Sequence, residues 1–326
     1  MDVLYKTPGV DVGAIRVVVV LPTFRRPEML VRSLASLAEQ HEKEFVVIVV
    51  ENDAAGRQGL AAVQQFSAAD VRLACVCIQE SRQGNVFALN SGFEAALDLF
   101  PASRFILMMD DDEVATPEWL SYMLAAAESD GADIVGGPVQ PRFEETPDPS
   151  VSGHPVFWPA YQESGRVPVI YGTGNCLIRR EVFQAMGRPF LDGAFNFLGG
   201  GDADFFWRCK LRGFRFYWEQ RAMILETVPP ERTKSKWILQ RGVRIGAINR
   251  RIDSRTRKIG FGKLIVKDIG ILALASMSSV WRILRRENPL VALHPFAIAV
   301  GRVSSVFKLA PQQYRHIPSK EPRPDA

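Results

Sequence analysis

Cysteine is scarce in this 326-residue chain: Cys75, Cys77, Cys176 and Cys209, with no C-x-x-C pair among them. That excludes a disulfide scaffold and a thiolate zinc site, and it fits small buried residues in a reducing compartment. The four histidines, His41, His154, His294 and His316, are scattered, so no zinc centre is expected either. Asp2, Lys6 and Asp11 stand where a secretory leader would be apolar, so a cytosolic body is expected. Internal repeats and long low-complexity tracts are absent. No charge-free run reaches the roughly 20 residues of a bilayer-spanning helix. In the C-terminal region those runs are residues 269–281 and 288–301, the second containing Pro289 and Pro295.

What the chain does have is a full apolar complement, 47% of residues, enough for one large domain or a domain with an appendage. Its charge is unevenly placed. From Glu231 onward there are 20 Lys+Arg against 6 Asp+Glu, which leaves 20 against 30 in residues 1–230. The body up to residue 230 is thus acidic and the rest basic; the composition turns apolar from Ile259, so a catalytic-type domain 1–258 and a basic, apolar C-terminal region 259–326 are expected. Lys263, Lys267, Arg282, Arg285, Arg286, Arg302 and Lys308 flank the two apolar runs. Such segments suit helices lying in an anionic membrane surface, peripheral rather than spanning. The alternative is two helices packed on the body. No nucleic-acid partner is expected.

Apolar runs at 17–21, 45–50 and 104–109, and a largely apolar one at 71–78, alternate with helix-like stretches such as Pro27–Glu39 and Asn85–Leu99. Strand–helix alternation of this kind predicts an α/β fold, a mostly parallel central sheet with helices on both faces. Ligands of such sheets bind outside the carboxyl ends of the strands. Those ends here carry Pro22-Thr23-Phe-Arg25-Arg26, Glu51-Asn-Asp53, Gln79-Glu-Ser-Arg82 and Asp110-Asp111-Asp112. Further on, 139–168 reads as a long Pro-rich loop. Val169–Ile178 reads as a strand interrupted by glycines, including Gly174, where a ligand can approach closely. Gly199-Gly-Gly-Asp202-Ala-Asp204 opens a helix, and Lys234–Arg251 is a basic helix.

The three aspartates are the most informative cluster. Adjacent carboxylates at a strand end repel one another and call for a compensating positive charge, for which a hard divalent cation is the usual answer. A solvated acidic turn capping a helix is the competing account. In an extended segment Asp110 and Asp112 would face the same way, while Asp111 would face solvent or cap the backbone.

In order along the chain, Val-Val-Leu-Pro22-Thr-Phe-Arg25-Arg-Pro27, Val49-Val-Glu51-Asn-Asp53, Arg82-Gln-Gly84-Asn85, Asp110-Asp-Asp112 and Gly199-Gly-Gly-Asp202-Ala-Asp204 resemble the family 2 glycosyltransferases of GT-A fold. Glu226-Thr-Val-Pro-Pro-Glu-Arg232, with Trp237 and Arg241, is similar to the succinoglycan-type exopolysaccharide glucosyltransferases of bacteria. No Q-x-x-R-W motif of processive synthases is present. Two departures stand out: Gly201 where the family often has Glu, and Glu226 where many members have His.

The resemblance implies an inverting, metal-dependent transfer of a sugar from a nucleoside diphosphate, with UDP-glucose the implied donor. The acceptor would be a polyprenyl-diphosphate-linked oligosaccharide at the cytoplasmic face of the inner membrane. It implies Mg²⁺ or Mn²⁺ as cofactor, held by Asp112, Asp110 and Glu226. Asp202 would be the catalytic base. Pro22, Thr23, Arg25, Glu51, Arg82, Asn85, Asp110 and Asp111 would bind the nucleotide sugar. Asp204, Gly174, Arg232 and Arg241 would serve the acceptor or a diphosphate. For Trp237 core packing is the expectation. A nucleotidyltransferase lacks support, because no glycine-rich phosphate loop follows the first predicted strand. A non-catalytic, membrane-associated nucleotide-sugar binder stays open through Gly201 and Glu226, as does a glycosyltransferase acting on another glycolipid or cell-envelope acceptor.

Overall fold

The computed structural model describes residues 2–172 and 174–307. Lys308 and His316, and Thr173 within the predicted strand, lie outside the described residues. Among the described residues twelve strands form two sheets: β1 (Asp2–Lys6), β2 (Val17–Thr23), β3 (Phe45–Glu51), β4 (Ala74–Gln79), β5 (Phe105–Met108), β6 (Glu113–Ala115), β7 (Ile134–Gly136), β8 (Val139–Phe143), β9 (Gly165–Val167), β10 (Cys176–Arg179), β11 (Phe216–Trp218) and β12 (Ile224–Val228). The large sheet runs β1-β4-β3-β2-β5-β10-β7-β11-β9, and a small one runs β6-β12-β8. In the large sheet β2, β3, β4, β5, β7 and β11 point one way, while β1, β9 and β10 oppose them.

The alternation of side chains along β2–β5 explains the layering. Val18, Val20, Val46, Ile48, Ile106 and Met108 enter one core with Val86, Leu89, Phe93, Phe183 and Phe206. Val17, Val19, Leu21, Val47, Val49 and Leu107 enter the other with Leu30, Leu34, Leu37, Val63, Trp119 and Leu120. Helices thus cover both faces: α1 (Pro27–Ala38), α2 (Gln58–Ala69) and α4 (Trp119–Ser129) on one, α3 (Asn85–Leu99), α6 (Arg180–Met186) and α7 (Gly201–Leu211) on the other. All four cysteines are buried; burial pushes the Cys75, Cys77 and Cys209 thiols up to about 12, so they are inert at neutral pH.

Two expectations are corrected. The stretch 139–168 is not a bare loop: it holds β8, the short α5 (Pro149–Ser152) and β9. Within Val169–Ile178 only β10 is strand. The lone Pro and Gly signals were outweighed by pairing with β12 and β11, which lie far away in sequence.

The basic helix is α8 (Ser235–Arg255), followed by α9 (Phe261–Leu284) and α10 (Pro289–Ser304). The charge-free runs under-reported these helices. α9 has 24 residues, and both it and Pro289–Phe307 are long and apolar enough to cross a membrane by length and composition. Helices carry their few charges into the apolar stretch wherever a partner exists. Arg302, 5% exposed, donates to Asp268 and Asp253 at 2.8 Å each; Arg250 meets Asp268 at 2.7 Å, and Lys267 and Arg257 meet Asp253 at 2.6 and 3.0 Å. α10 also crosses α8 closely: a Cβ at Gly246 would lie 1.9 Å from the Ile298 oxygen, and one at Gly301 1.8 Å from the Val243 oxygen. The sequence division at 258 therefore separates helices that pack together.

Arg302→Ala should destabilise the protein by about 3 kcal/mol, since it strips a buried partner from two carboxylates. Chemical denaturation would show this as a lowered midpoint. An unchanged midpoint would mean the remaining cations carry the whole load.

Candidate active site

A cleft of about 670 Å³ opens over the carboxyl ends of β2 and β5 and is walled by the small sheet, α7 and α8. It is lined by Pro22, Thr23, Asn85, Asp110, Asp111, Asp112, Gly174, Asp202, Glu226, Arg232 and Arg241, residues drawn from most of the length of the chain.

Its floor is the turn between β5 and β6. Ser33 of α1 donates to the Glu113 carbonyl at 2.6 Å, the Asp110 N–H donates to Glu113 Oε2 at 2.7 Å, and the Thr227 N–H to the Asp112 carbonyl at 3.0 Å. The turn is thereby fixed from three directions. Gly174 faces the Glu113 carboxylate so closely that a Cβ would sit 2.0 Å from Oε1. Its small size leaves room for a fixed carboxylate.

Because this segment turns, the alternation of an extended strand does not apply. Asp111 is buried, not solvent-facing; it accepts from Thr23 Oγ1 at 2.8 Å and Arg26 Nη1 at 3.1 Å. Asp112 accepts from Arg26 at 3.1 Å and from Arg232 Nη2 at 3.5 Å. Arg232 Nη1 meets Glu226 at 2.6 Å. Asp110 gains least compensation. Burial first, then the charges of Asp112 and Asp111, push its carboxyl up to about 8. Burial also pushes Glu113 and Glu226 up, with Arg232 pulling Glu226 back. Glu226 and Glu113 face each other across β12 and β6. Carboxylates held this way are short of positive charge.

Asp202 enters the cleft at the start of α7. Gly199 and Gly200 precede it at φ +83° and +80°, a left-handed turn that only glycine adopts without strain. Gly201 also has a steric reason: a Cβ there would lie 3.0 Å from Val86. Asp202 Oδ1 accepts from the Ala203 N–H at 2.7 Å.

Four expected residues do not line the cleft. Arg25, at φ +56°, turns outward and pairs with Asp53 at 2.7 Å. Its neighbour Arg26 reaches the acidic turn instead. Arg82 is exposed and forks onto Glu80. Glu51 is fully buried and accepts from the backbone N–H groups of Asp53, Gly59 and Leu60, so it fixes the start of α2. Asp204 points away, to Arg208 at 2.9 Å and to Thr256, tying α7 to α8. Beyond Arg26, sequence reasoning also missed Glu113, whose place directly after the aspartates was the available signal. Trp237 is half-buried, stacks on Phe157 at 6.0 Å and borders the cleft under Arg241.

Among the described residues no three His, Cys, Asp or Glu side chains form a metal cage of their own. Mg²⁺ is bound through one or two carboxylates and takes further oxygens from water and substrate phosphates. Asp110 and Asp112, hard oxygen donors in a turn short of positive charge, fit such an ion.

Comparisons with known proteins agree with this geometry. A family model described as glycosyl transferase family 2 matches residues 18–187. The succinoglycan biosynthesis protein ExoM of Rhizobium meliloti is 30% identical over 238 residues, 71% of this chain and 72% of its own length. Glycosyltransferase AglE of Haloferax volcanii is 24% identical over 199 residues, 60% of this chain and 62% of its own. The mannosyltransferase PcManGT of Pyrobaculum calidifontis, solved with GDP-Man and Mn²⁺, has the same fold: TM-score 0.61, 15% identity, covering 90% of this chain and 87% of that one. TarS of S. aureus, solved with UDP, aligns at TM-score 0.51 and 17% identity over 94% and 95%. With its GT-A architecture and its acidic turn facing Asp202 across one cleft, the chain belongs to glycosyl transferase family 2.

Proposed function

We propose that the protein is an inverting hexosyltransferase of exopolysaccharide biosynthesis, moving a sugar, with glucose the favoured donor, from a nucleoside diphosphate to a lipid-linked oligosaccharide. The observation that carries this is the cleft itself: Asp110, Asp112, Glu226, Arg232, Arg241 and Asp202 converge in it from separate elements. Likeness to ExoM supports the pathway, and the nucleotides bound by PcManGT and TarS support the donor class.

Pro22 and Thr23 at the end of β2 and Asn85 at the start of α3 receive the nucleotide. Asp110 and Asp112 hold Mg²⁺ or Mn²⁺, which when bound neutralises charge on the diphosphate as a Lewis acid. Arg26 and Arg232, now on Asp111, Asp112 and Glu226, lie within reach of the same phosphates and can exchange partners. Asp202 accepts the proton of the acceptor hydroxyl as its oxygen bonds to the anomeric carbon. The bond from that carbon to the diphosphate breaks on the opposite side, so the configuration inverts. The test is metal-dependent release of nucleoside diphosphate from UDP-glucose and other nucleotide sugars, with a lipid-linked acceptor extract. Acceptor-stimulated release supports the reading; pyrophosphate release from a nucleoside triphosphate would replace it with nucleotidyl transfer.

The same proposal puts the enzyme peripherally on the cytoplasmic face of the plasma membrane. α9 exposes Phe261, Val266, Ile269, Leu274, Met277, Trp281 and Leu284, beside Lys263, Arg282, Arg285 and Arg286. α10 and the first third of α9 are held against α8 by the buried ion network. That leaves one apolar face of α9 to enter an interface. Basic residues there contribute about 1 kcal/mol each, a part that salt screens, while apolar burial persists. Full-length protein should co-sediment with phosphatidylglycerol vesicles and be only partly released by high salt. Indifference to such vesicles would make the exposed face an oligomer contact. Resistance to alkaline carbonate would show a spanning anchor.

A further inference from the structure

Among the described residues outside α9, α10 and the turn after them, two Phe, Tyr or Trp side chains are exposed: Trp158 at 45% and Tyr171 at 57%. Both line the cleft that holds Asp202 and the acidic turn. Aromatic surface left in water carries a free-energy cost, and two such faces in one cleft mark a ligand contact. The rings are held in place. The Trp158 indole N–H donates to the Ser152 carbonyl at 2.7 Å. Tyr161 stacks beside Tyr171 at 6.3 Å, leans on Trp218 at 5.4 Å, and donates its hydroxyl to the Val169 carbonyl at 2.7 Å.

The wall that carries Trp158 is itself anchored on the C-terminal helices. Asn288 donates to the Ser150 carbonyl at 2.8 Å, and the His154 and His294 rings meet edge to face at 4.8 Å. Trp158 therefore sits on a wall that packs against α10, and Tyr171 lines the same cleft.

We propose that Trp158 and Tyr171 form a stacking platform for a sugar ring of the acceptor, one or more units back from the hydroxyl that is glycosylated. A pyranose presents a face of C–H bonds to an aromatic plane and a rim of hydroxyls to polar groups. This cleft offers both, with the acidic turn and Arg241 bordering it. The platform rests on the function proposed above and adds where the acceptor lies. It also implies that a short acceptor, lacking the stacked unit, binds more weakly than a longer one.

The test uses full-length protein and cellotetraose, laminaritetraose and maltotetraose as probes, with affinities from saturation-transfer NMR. Calorimetric binding of UDP and GDP with Mn²⁺ is measured in parallel. Wild type should bind at least one tetrasaccharide, more tightly than the matching disaccharide. Trp158→Ala and Tyr171→Ala should each weaken it by about tenfold. Trp158→Phe should recover most of the loss, and nucleotide binding should not change. Absence of saturable binding to every probe overturns the platform. So does unchanged tetrasaccharide affinity in both alanine variants while nucleotide binding is intact. Loss of phosphatidylglycerol-vesicle binding in Trp158→Ala, with sugar affinity kept, also overturns it and makes this surface a membrane contact. Failure of wild type to bind either nucleotide with Mn²⁺ overturns the underlying function, and the platform with it.

Discussion

Asp202→Asn should keep nucleotide binding and lose sugar transfer by roughly 10²–10⁴-fold, the range a general base contributes. The amide cannot take the acceptor proton. It can still accept from the Ala203 N–H, which Asp202 Oδ1 now does at 2.7 Å, so the start of α7 should hold. Stability should change little, because the residue is only half-buried and the turn before it is set by Gly199 and Gly200. Calorimetry of the nucleotide with Mn²⁺, paired with a transfer assay, separates the two effects. Transfer within a few-fold of wild type would reduce Asp202 to a structural residue at a helix start.

Asp112→Asn should lower transfer by roughly 100-fold or more, the order lost when one preorganised electrostatic contact to developing charge is removed. Here the fold should not suffer. The carboxylate sits in a turn already crowded with negative charge: Asp112 is the first of the neighbouring charges that push the Asp110 carboxyl up. Removing it relieves that repulsion, and the amide oxygen can still accept from Arg26. The checking measurement is a titration of Mn²⁺ in the presence of nucleotide, which should show weakened metal binding alongside the lost rate. Full activity of Asp112→Asn with a chelator present would remove the metal from Asp112 and from the mechanism.

Much of this protein was legible before any coordinates. The uninterrupted Val17–Leu21 and Phe45–Val50 runs, short and rich in β-branched residues, point to strands buried on both faces, and they are β2 and β3. Their carboxyl ends located the cleft. The aspartate triplet and the Gly-Gly-Gly-Asp string stood out because carboxylates and glycine turns are costly wherever they serve no purpose, and both line the cleft. Those features are local, so their physics is written in neighbouring residues. Their family resemblance followed from the same strings.

Tertiary structure alone decided which way individual side chains face. Arg25 and Arg26 are adjacent and chemically identical, yet a left-handed φ at Arg25 sends it to Asp53 and leaves Arg26 for the acidic turn. Glu51 and Asp204 looked like site residues, but the N–H groups of Gly59 and Leu60 at the start of α2 claim the first, and Thr256, far along the chain, claims the second. The charges in the tail read as solvent or membrane contacts until Arg302 was seen buried between Asp253 and Asp268. In each case a polar side chain's direction is set by whichever partner satisfies it. When that partner is dozens of residues away, no local pattern encodes the pairing.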